Sequence, residues 1–336
     1  MRNLGRLTGL LTLLILANAR SPGAASERDG QDGGSHPTYV FSRISVPGAT
    51  STDAWSINGY GDVVGFYVDA RGTHGFHLDG DSYTAVGENT EPIPPIQGGT
   101  FITIDVPGAT FTEATANNDR GDIAGVYRVD GDTTLHAFLL RAGTFIKIDV
   151  PGASASTPRG LGDRSEVVFE AVVNGKSTAY ILSRGAYANI EPPDSFAGGP
   201  VTYSYASGIN RAGTIVGRYD DMFHGAGRNR GFALLDGAYG DIFFPGAVSA
   251  AALGINDRNI IVGGYTLNGL RRGFALQNTS YTSIDIPGCA GTAQQGAIAC
   301  TTPRKINNHG RIVGFFGLGG TDIAGFIARP VQQREQ

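Results

Sequence analysis

The side chains with the widest chemical range lie in one stretch, DDMFHGAGRNR. Asp220 and Asp221 supply carboxylates, His224 an imidazole and Arg228 a guanidinium. Carboxylates beside an imidazole hold cations or exchange protons near neutral pH, although the same residues also suit a solvated loop. A second stretch, DSFAGGPVTY, runs from Asp194 to Tyr203. Its tyrosine ring suits stacking on a sugar or an apolar patch, with charged neighbours setting orientation. Asp194, Tyr203, Asp220, Asp221, His224 and Arg228 are the expected ligand contacts. No catalytic residue, metal ligand or cofactor site is assigned.

Other motifs read as structure. Gly175-Lys176-Ser177 ends like a phosphate loop, but Glu170 stands where that motif needs its first glycine. Arg120-Gly121-Asp122 spells an adhesion tripeptide yet falls in a hairpin turn. The chain has no H-E-x-x-H, no G-x-S-x-G and no cysteine pair at zinc spacing. Asp79-Gly80-Asp81 and Asp130-Gly131-Asp132 lack the remaining ligands of a calcium loop. His74 and His136 share a position with Arg230 and Arg272, so a structural polar role fits them better than metal ligation. Asn58, Asn118, Asn210, Asn256 and Asn307 invite a ring of ligands around a channel, but turn formation explains them.

These residues must be positioned by a repeat. Corner prolines Pro47, Pro107, Pro151, Pro193, Pro245 and Pro287 set a period of 42–44 residues, lengthened in two units. After each corner comes I-N-x-x-G-x-I-V-G-x-Y, as in Ile57–Tyr67 and Ile209–Tyr219. A small residue plus an aromatic follows, as in Gly75-Phe76 and Ala137-Phe138. Turn formers such as Asn118-Asp119-Arg120-Gly121 separate the strands, and Asn and Gly tolerate the left-handed backbone that tight hairpins need. Helical periodicity is absent outside the N-terminus. Four short antiparallel strands per unit predict an all-β, six-bladed β-propeller of four-stranded antiparallel blades. The lone first strand, Tyr39–Ser45, is expected to close the ring beside Ile323–Ala328, with the I-N strands innermost.

The literal His136-Ala137-Phe138-Leu139, the repeated G-I-N-x-x-G-x-I-V-G and the recurrent I-D-V-P-G-A resemble the HAF-type extracellular repeat proteins of bacteria. The resemblance spans about Tyr39–Pro330. It implies export and a propeller-like β fold, and it carries no activity or catalytic residues. The third unit departs from it, with Gly162 for the asparagine and Phe169 for a glycine, so distortion is expected there.

The first residues, MRNLGR then LTGLLTLLILA then Ala17-Asn18-Ala19, have the form of a signal peptide over residues 1–19. Its apolar run falls short of the roughly 20 residues of a spanning helix. The export this implies places the mature chain outside the cell or in the periplasm. Residues 20–37 read as a flexible linker, 38–330 as one propeller domain and 331–336 as a tail. Export also favours a disulfide between the two cysteines, Cys289 and Cys300. A net charge of −4 argues against nucleic acid or an anionic membrane as partner. A monomer is expected.

Two functions compete. One is a secreted binding or structural scaffold that contacts a glycan or protein through loops 194–203, 220–230 and 288–302, all expected on one face. The other is an enzyme acting on a saccharide or lactone in the channel. An enzyme needs acidic or imidazole groups converging there. The expected inner residues, Trp55, Ser56, Thr115, Arg159, Ser207, Leu253 and Lys305, include none, which favours the scaffold. The insertion Gly87–Gly99 follows Ser82–Val86, which itself resembles a corner strand.

Overall fold

The computed structural model describes residues 38–87, 90–220, 222, 228–287, 301–319 and 322–331. The expected signal peptide and linker, Asp221, His224, Cys289 and Cys300 lie outside the described residues.

The strands follow the repeat. β1 (Thr38–Ile44) comes first. Then come β2 (Ser51–Ile57), β3 (Val63–Asp69) and β4 (Gly72–Leu78), the short β5 (Tyr83–Thr84) and β6 (Gln97–Gly98), and β7 (Phe101–Ile104). The second unit gives β8 (Ala109–Asn117), β9 (Ile123–Val129), β10 (His136–Arg141) and β11 (Thr144–Lys147). The third gives β12 (Ala155–Leu161), β13 (Val167–Val173), β14 (Lys176–Ser183) and β15 (Ala186–Asn189), followed by a helical turn, α1 (Asp194–Ala197). Next are β16 (Ser204–Ile209), β17 (Ile215–Asp220), β18 (Asn229–Leu235) and β19 (Ala238–Ile242). After them come β20 (Ser249–Ile255), β21 (Ile261–Leu267), β22 (Leu270–Gln277) and β23 (Ser280–Ile284). The last are β24 (Thr302–Ile306), β25 (Ile312–Gly319) and β26 (Asp322–Val331), so Val331 belongs to a strand and not to a tail.

Each unit's strands pair in order as a four-stranded antiparallel set. A single parallel bridge, Thr73 to Phe111, joins the first two sets. The final set takes its outer strand from the other end of the chain, with Tyr39 opposite Pro330 and Ile44 opposite Gly325. Apolar cores lie between consecutive sets. Val64 packs with Ala114 and Phe138, Val168 with Ala206 and Phe232, and Val313 and Ile327 of the last set pack with Ala54 and Phe76 of the first.

Three local rules explain the repeat. At the corners, Val46-Pro47-Gly48-Ala49 turns with Gly48 at φ +81° and the Ala49 N–H donating to the Val46 carbonyl at 3.1 Å. Proline second and glycine third are what a type II turn requires. In the second strands, a glycine faces the buried aromatic of the third strand, as Gly65 faces Phe76 and Gly217 faces Phe232. A Cβ on Gly217 would stand 2.1 Å from the Tyr205 carbonyl and 2.6 Å from Phe232. That aromatic in turn meets one on the fourth strand, with Phe138 and Phe145 centroids 5.3 Å apart.

The third rule concerns the asparagines, which shape their turns by hydrogen bonding and not by left-handed backbone. Asn58 Oδ1 accepts from the Tyr60 and Asp62 N–H groups, at 3.1 and 2.9 Å. The left-handed residue is three positions later, Gly61, Gly121, Gly213 and Gly310, with Ser165 and Asn259 in the same place. The asparagine amide then reaches the next set. Asn58 Nδ2 donates to the Asn118 carbonyl at 3.3 Å, Asn118 to Gly162 at 3.1 Å, Asn210 to Asn256 at 3.2 Å, Asn256 to Asn307 at 3.0 Å and Asn307 to Asn58 at 2.9 Å.

The third set is not distorted. It has four strands and the same first-strand bulge as its neighbours, between Pro158 and Gly160. Phe169 is fully buried and packs on Tyr187 of the fourth strand, 6.1 Å between centroids. It fills from the second strand the place that the third-strand phenylalanines fill elsewhere, while Tyr180 opposite it is half-buried. The segment that resembles a corner strand is one only in part, and the insertion does add a short strand. Of the segment Ser82–Val86, only Tyr83 and Thr84 are in a strand, and they pair with Gln97 and Gly98. The fourth strand of the first set is β7, which follows the insertion. The insertion lies along β1, with Arg43 N–H donating to the Pro94 carbonyl at 2.7 Å and Ile93 buried beside Phe41 and Phe326.

Two stability measurements test these rules. Gly217→Ala forces a methyl group into backbone, and urea unfolding should show a loss of about 3 kcal/mol. Ala142 holds a left-handed conformation, φ +47°, in the two-residue hairpin before Gly143. Ala142→Asn should gain about 0.5–1 kcal/mol, because asparagine tolerates that region better.

Candidate functional site

The first strands of consecutive sets lie beside one another, and each carries a bulge that re-aims one side chain. The bulged residues are Trp55, Thr115, Arg159, Ser207, Leu253 and Arg304. The last is Arg304, where Lys305 was the expected inner residue. Bulges also connect the sets. Thr115 Oγ1 donates to the Pro158 carbonyl and Ser207 Oγ to the Ala252 carbonyl, both at 2.6 Å. Lys305 Nζ donates to the Leu253 carbonyl at 2.8 Å and also to that of Ser207.

Around these bulges a charged and aromatic cluster assembles. The Arg304 guanidinium lies 3.8 Å from the Trp55 ring centroid and 4.8 Å from that of Phe315. It also makes a two-pronged ion pair with the buried Asp53, at 2.6 and 3.1 Å. Arg159 stands 4.6 Å from Tyr205 and 5.6 Å from Trp55, and pairs with Glu170. Arg218 lies 5.5 Å from Tyr203, which meets Tyr205 edge-on at 5.8 Å. The Trp55 Nε1 and Arg218 Nε groups are buried with no hydrogen-bond partner.

The cluster changes its own titration. Burial, then the charge of Asp53, pushes the Glu113 carboxyl up to about 7. Burial, then the positive charges of Arg159 and Arg304, brings the Lys305 ammonium down to about 7. Burial likewise works against the charge on Glu170, but Arg159 beside it prevails and holds the carboxyl below its usual range. The sequence expectation that acidic groups are missing here is therefore corrected. Asp53 and Glu113 come from the first strands, two residues before the bulge, and Glu170 from a second strand.

A signal for the missed residues was present in the repeat. The variable position of I-V-G-x-Y holds Phe66, Val126, Glu170, Arg218, Gly264 and Phe315. Each is opposite a first-strand residue of its own set, as Glu170 is opposite Thr157 and Arg218 opposite Tyr205. Side chains that vary where the framework is constant are the ones free to carry chemistry.

The expected contacts divide. Tyr203 is in the cluster, under the Arg218 guanidinium and edge-on to Tyr205. Asp220 is buried and supports the loop, accepting from the Thr202 N–H at 2.9 Å and the Tyr203 N–H at 3.1 Å. Asp194 accepts from the Val201 N–H at 3.4 Å inside its own loop. Arg228 is exposed. The two long loops of this unit do touch, through the Met222 N–H and the Ala197 carbonyl at 3.0 Å. At the turn end of the first strands the opening is lined by the asparagine turns. His136 and His74 pair with acids. His136 Nδ1 is 2.7 Å from Asp149 and His74 Nδ1 is 2.9 Å from Asp105.

Comparison with known proteins adds little to this geometry. A scan against protein families finds no match, and a search of curated sequences finds none. Among solved structures, a protein provisionally described as a gluconolactonase is 12% identical, with a TM-score of 0.44, covering 88% of this chain and 94% of its own. The fucose-specific lectin of Aleuria aurantia is 14% identical, with a TM-score of 0.41, covering 84% and 96%. The extracellular domain of a one-component system from B. thetaiotaomicron is 10% identical, with a TM-score of 0.38, covering 86% of this chain and 40% of that one. Among the described residues no helix is long and apolar enough to cross a membrane. Function must be argued from this chain's own residues.

Glu113 supplies a pH test. Its proton is retained on folding up to about pH 7, while the unfolded carboxyl loses it near 4.5. The stability it contributes is complete below pH 4.5 and is lost as pH rises through 7. Glu113→Gln should flatten that slope and raise stability above pH 7 by about 2–3 kcal/mol in urea titrations.

Proposed function

We propose that the chain is an exported, closed six-bladed β-propeller that serves as a binding scaffold, its ligand entering the space between the first strands from the long-loop side. The closed ring is supported by the pairing of β1 with β26 and by the Asn307 amide bond to Asn58. Export is supported by the signal-like residues 1–19 and by the resemblance to HAF-type repeat proteins. The binding role rests on one observation: Trp55, Tyr203, Tyr205 and Phe315 meet guanidinium groups where buried donors stand unpartnered. Aromatic walls with a few convergent polar groups are the usual composition of a small-ligand site. The long loops then act as a support that places Tyr203, and not as the primary contacts.

A second reading, an enzyme acting on a saccharide or lactone, is favoured by Glu113. A carboxyl that titrates near 7 is poised for proton transfer at neutral pH.

Trp55 is the single tryptophan of the chain, so its emission reports on the site directly. A panel of glycans and lactones titrated into the mature protein should shift that emission saturably. Replacing residues 221–228 by a two-residue turn, with Asp220 kept, should leave the response intact, and Tyr203→Ala should weaken it. A response lost with the loop and unaffected by Tyr203→Ala returns the site to the loop tips. Lactone turnover abolished by Glu113→Gln replaces the scaffold with the enzyme.

A further inference from the structure

The cluster between the first strands has an excess of donors and of positive charge. Asp53 is satisfied by Arg304 and Glu170 by Arg159, so these pairs neutralise one another. Two guanidinium groups remain. Arg218 and Arg271 have no carboxylate partner among the described residues, and Arg218 Nε is buried without any acceptor. Arg271 is exposed, stands opposite Thr266 at the start of its strand, and lays its guanidinium over Gly264, where a Cβ would stand 3.6 Å from its Nε. Lys305 Nζ donates to the carbonyls of Ser207 and Leu253, and in its protonated form it has one further N–H to give. The Trp55 indole N–H is a further unused donor. Like charges gathered in one region repel one another unless a counter-charge joins them.

Building on the scaffold reading, we propose that this space binds the carboxylate of a small organic acid, with Arg218 and Arg271 as the charged contacts and Trp55 and Lys305 completing its hydrogen bonds. A guanidinium presents parallel N–H groups that match a carboxylate's two oxygens. The Tyr203 ring beside Arg218 keeps water from it, which strengthens its charge-assisted bond. A neutral ligand would leave the half-buried Arg218 guanidinium without a counter-charge, so discrimination against the uncharged analogue is built into the arrangement.

The test uses Trp55 emission in the full mature chain. Glucuronate and acetate are titrated against methyl glucoside and against sodium chloride at matched ionic strength. Glucuronate should bind saturably, with methyl glucoside and chloride at least about tenfold weaker. Acetate as strong as glucuronate assigns recognition to the carboxylate group alone, and glucuronate much stronger than acetate adds the sugar ring. Arg218→Gln and Arg271→Gln should each weaken glucuronate about tenfold or more, with near-ultraviolet circular dichroism unchanged. Arg184→Gln, on an exposed outer hairpin, should leave it unaltered. Methyl glucoside or another neutral glycan bound as well as glucuronate overturns the carboxylate site and leaves the scaffold standing. No response from any organic ligand overturns both.

Discussion

The asparagine side-chain amide at the end of five of the six first strands holds this architecture together. Its oxygen accepts two backbone N–H groups within the turn, and its nitrogen donates to the backbone of the next set. One residue thus shapes a local hairpin and joins it to a neighbour 44–60 positions away in the second and first units. Each such bond is worth about 1 kcal/mol, but leaving the buried amide unpaired would cost more. The arrangement is interrupted at one place. Gly162 accepts from Asn118 and has no side chain to pass the contact to the fourth unit. At that turn the contact comes instead from Arg211, which reaches Asp163 at 3.1 Å, an exposed pair that contributes little.

The packing between sets follows the same economy of space. Outside the third unit, a phenylalanine of each set lies over a glycine of the same set, and the glycine's missing Cβ is what lets the ring lie against backbone. The third unit shows that the constraint is on the volume and not on the strand that fills it. There the ring moves to Phe169 and the same fourth-strand aromatic receives it. Interiors packed to crystal-like density tolerate such an exchange when total volume is kept.

A framework this regular leaves the variable positions to carry function. The bulges direct Trp55, Arg159 and Arg304 toward one space, and the second strands add Glu170 and Arg218. Burial of so many charges in one region is costly, and only part of that cost is offset within the cluster by ion pairs. The uncompensated remainder is what a ligand of opposite charge would relieve. The long loops of the fourth unit fit this division of labour, since Asp220 holds the backbone on which Tyr203 is mounted.

Strand type, turn position and the four-strand unit were legible in the sequence because they depend on backbone conformation within a few residues. Pro47-Gly48, Asn58 with Gly61, and the alternation around Phe76 each announce their geometry locally. The role of Asn58 beyond its own turn was not legible, since its partner, the Asn118 carbonyl, depends on how two sets dock. The same holds for the site. Asp53 meets Arg304 across 251 positions, and Glu113 gains its raised proton affinity from burial and then from Asp53 in another set. The sequence displayed those residues but gave no reason to join them. Asp194 and Asp220 stood out instead as exposed-looking carboxylates, and only the fold turned them into loop supports. Local rules write the strands and turns; which side chains share a space depends on the angle at which each set packs on the next, and that angle is decided by contacts between distant parts of the chain.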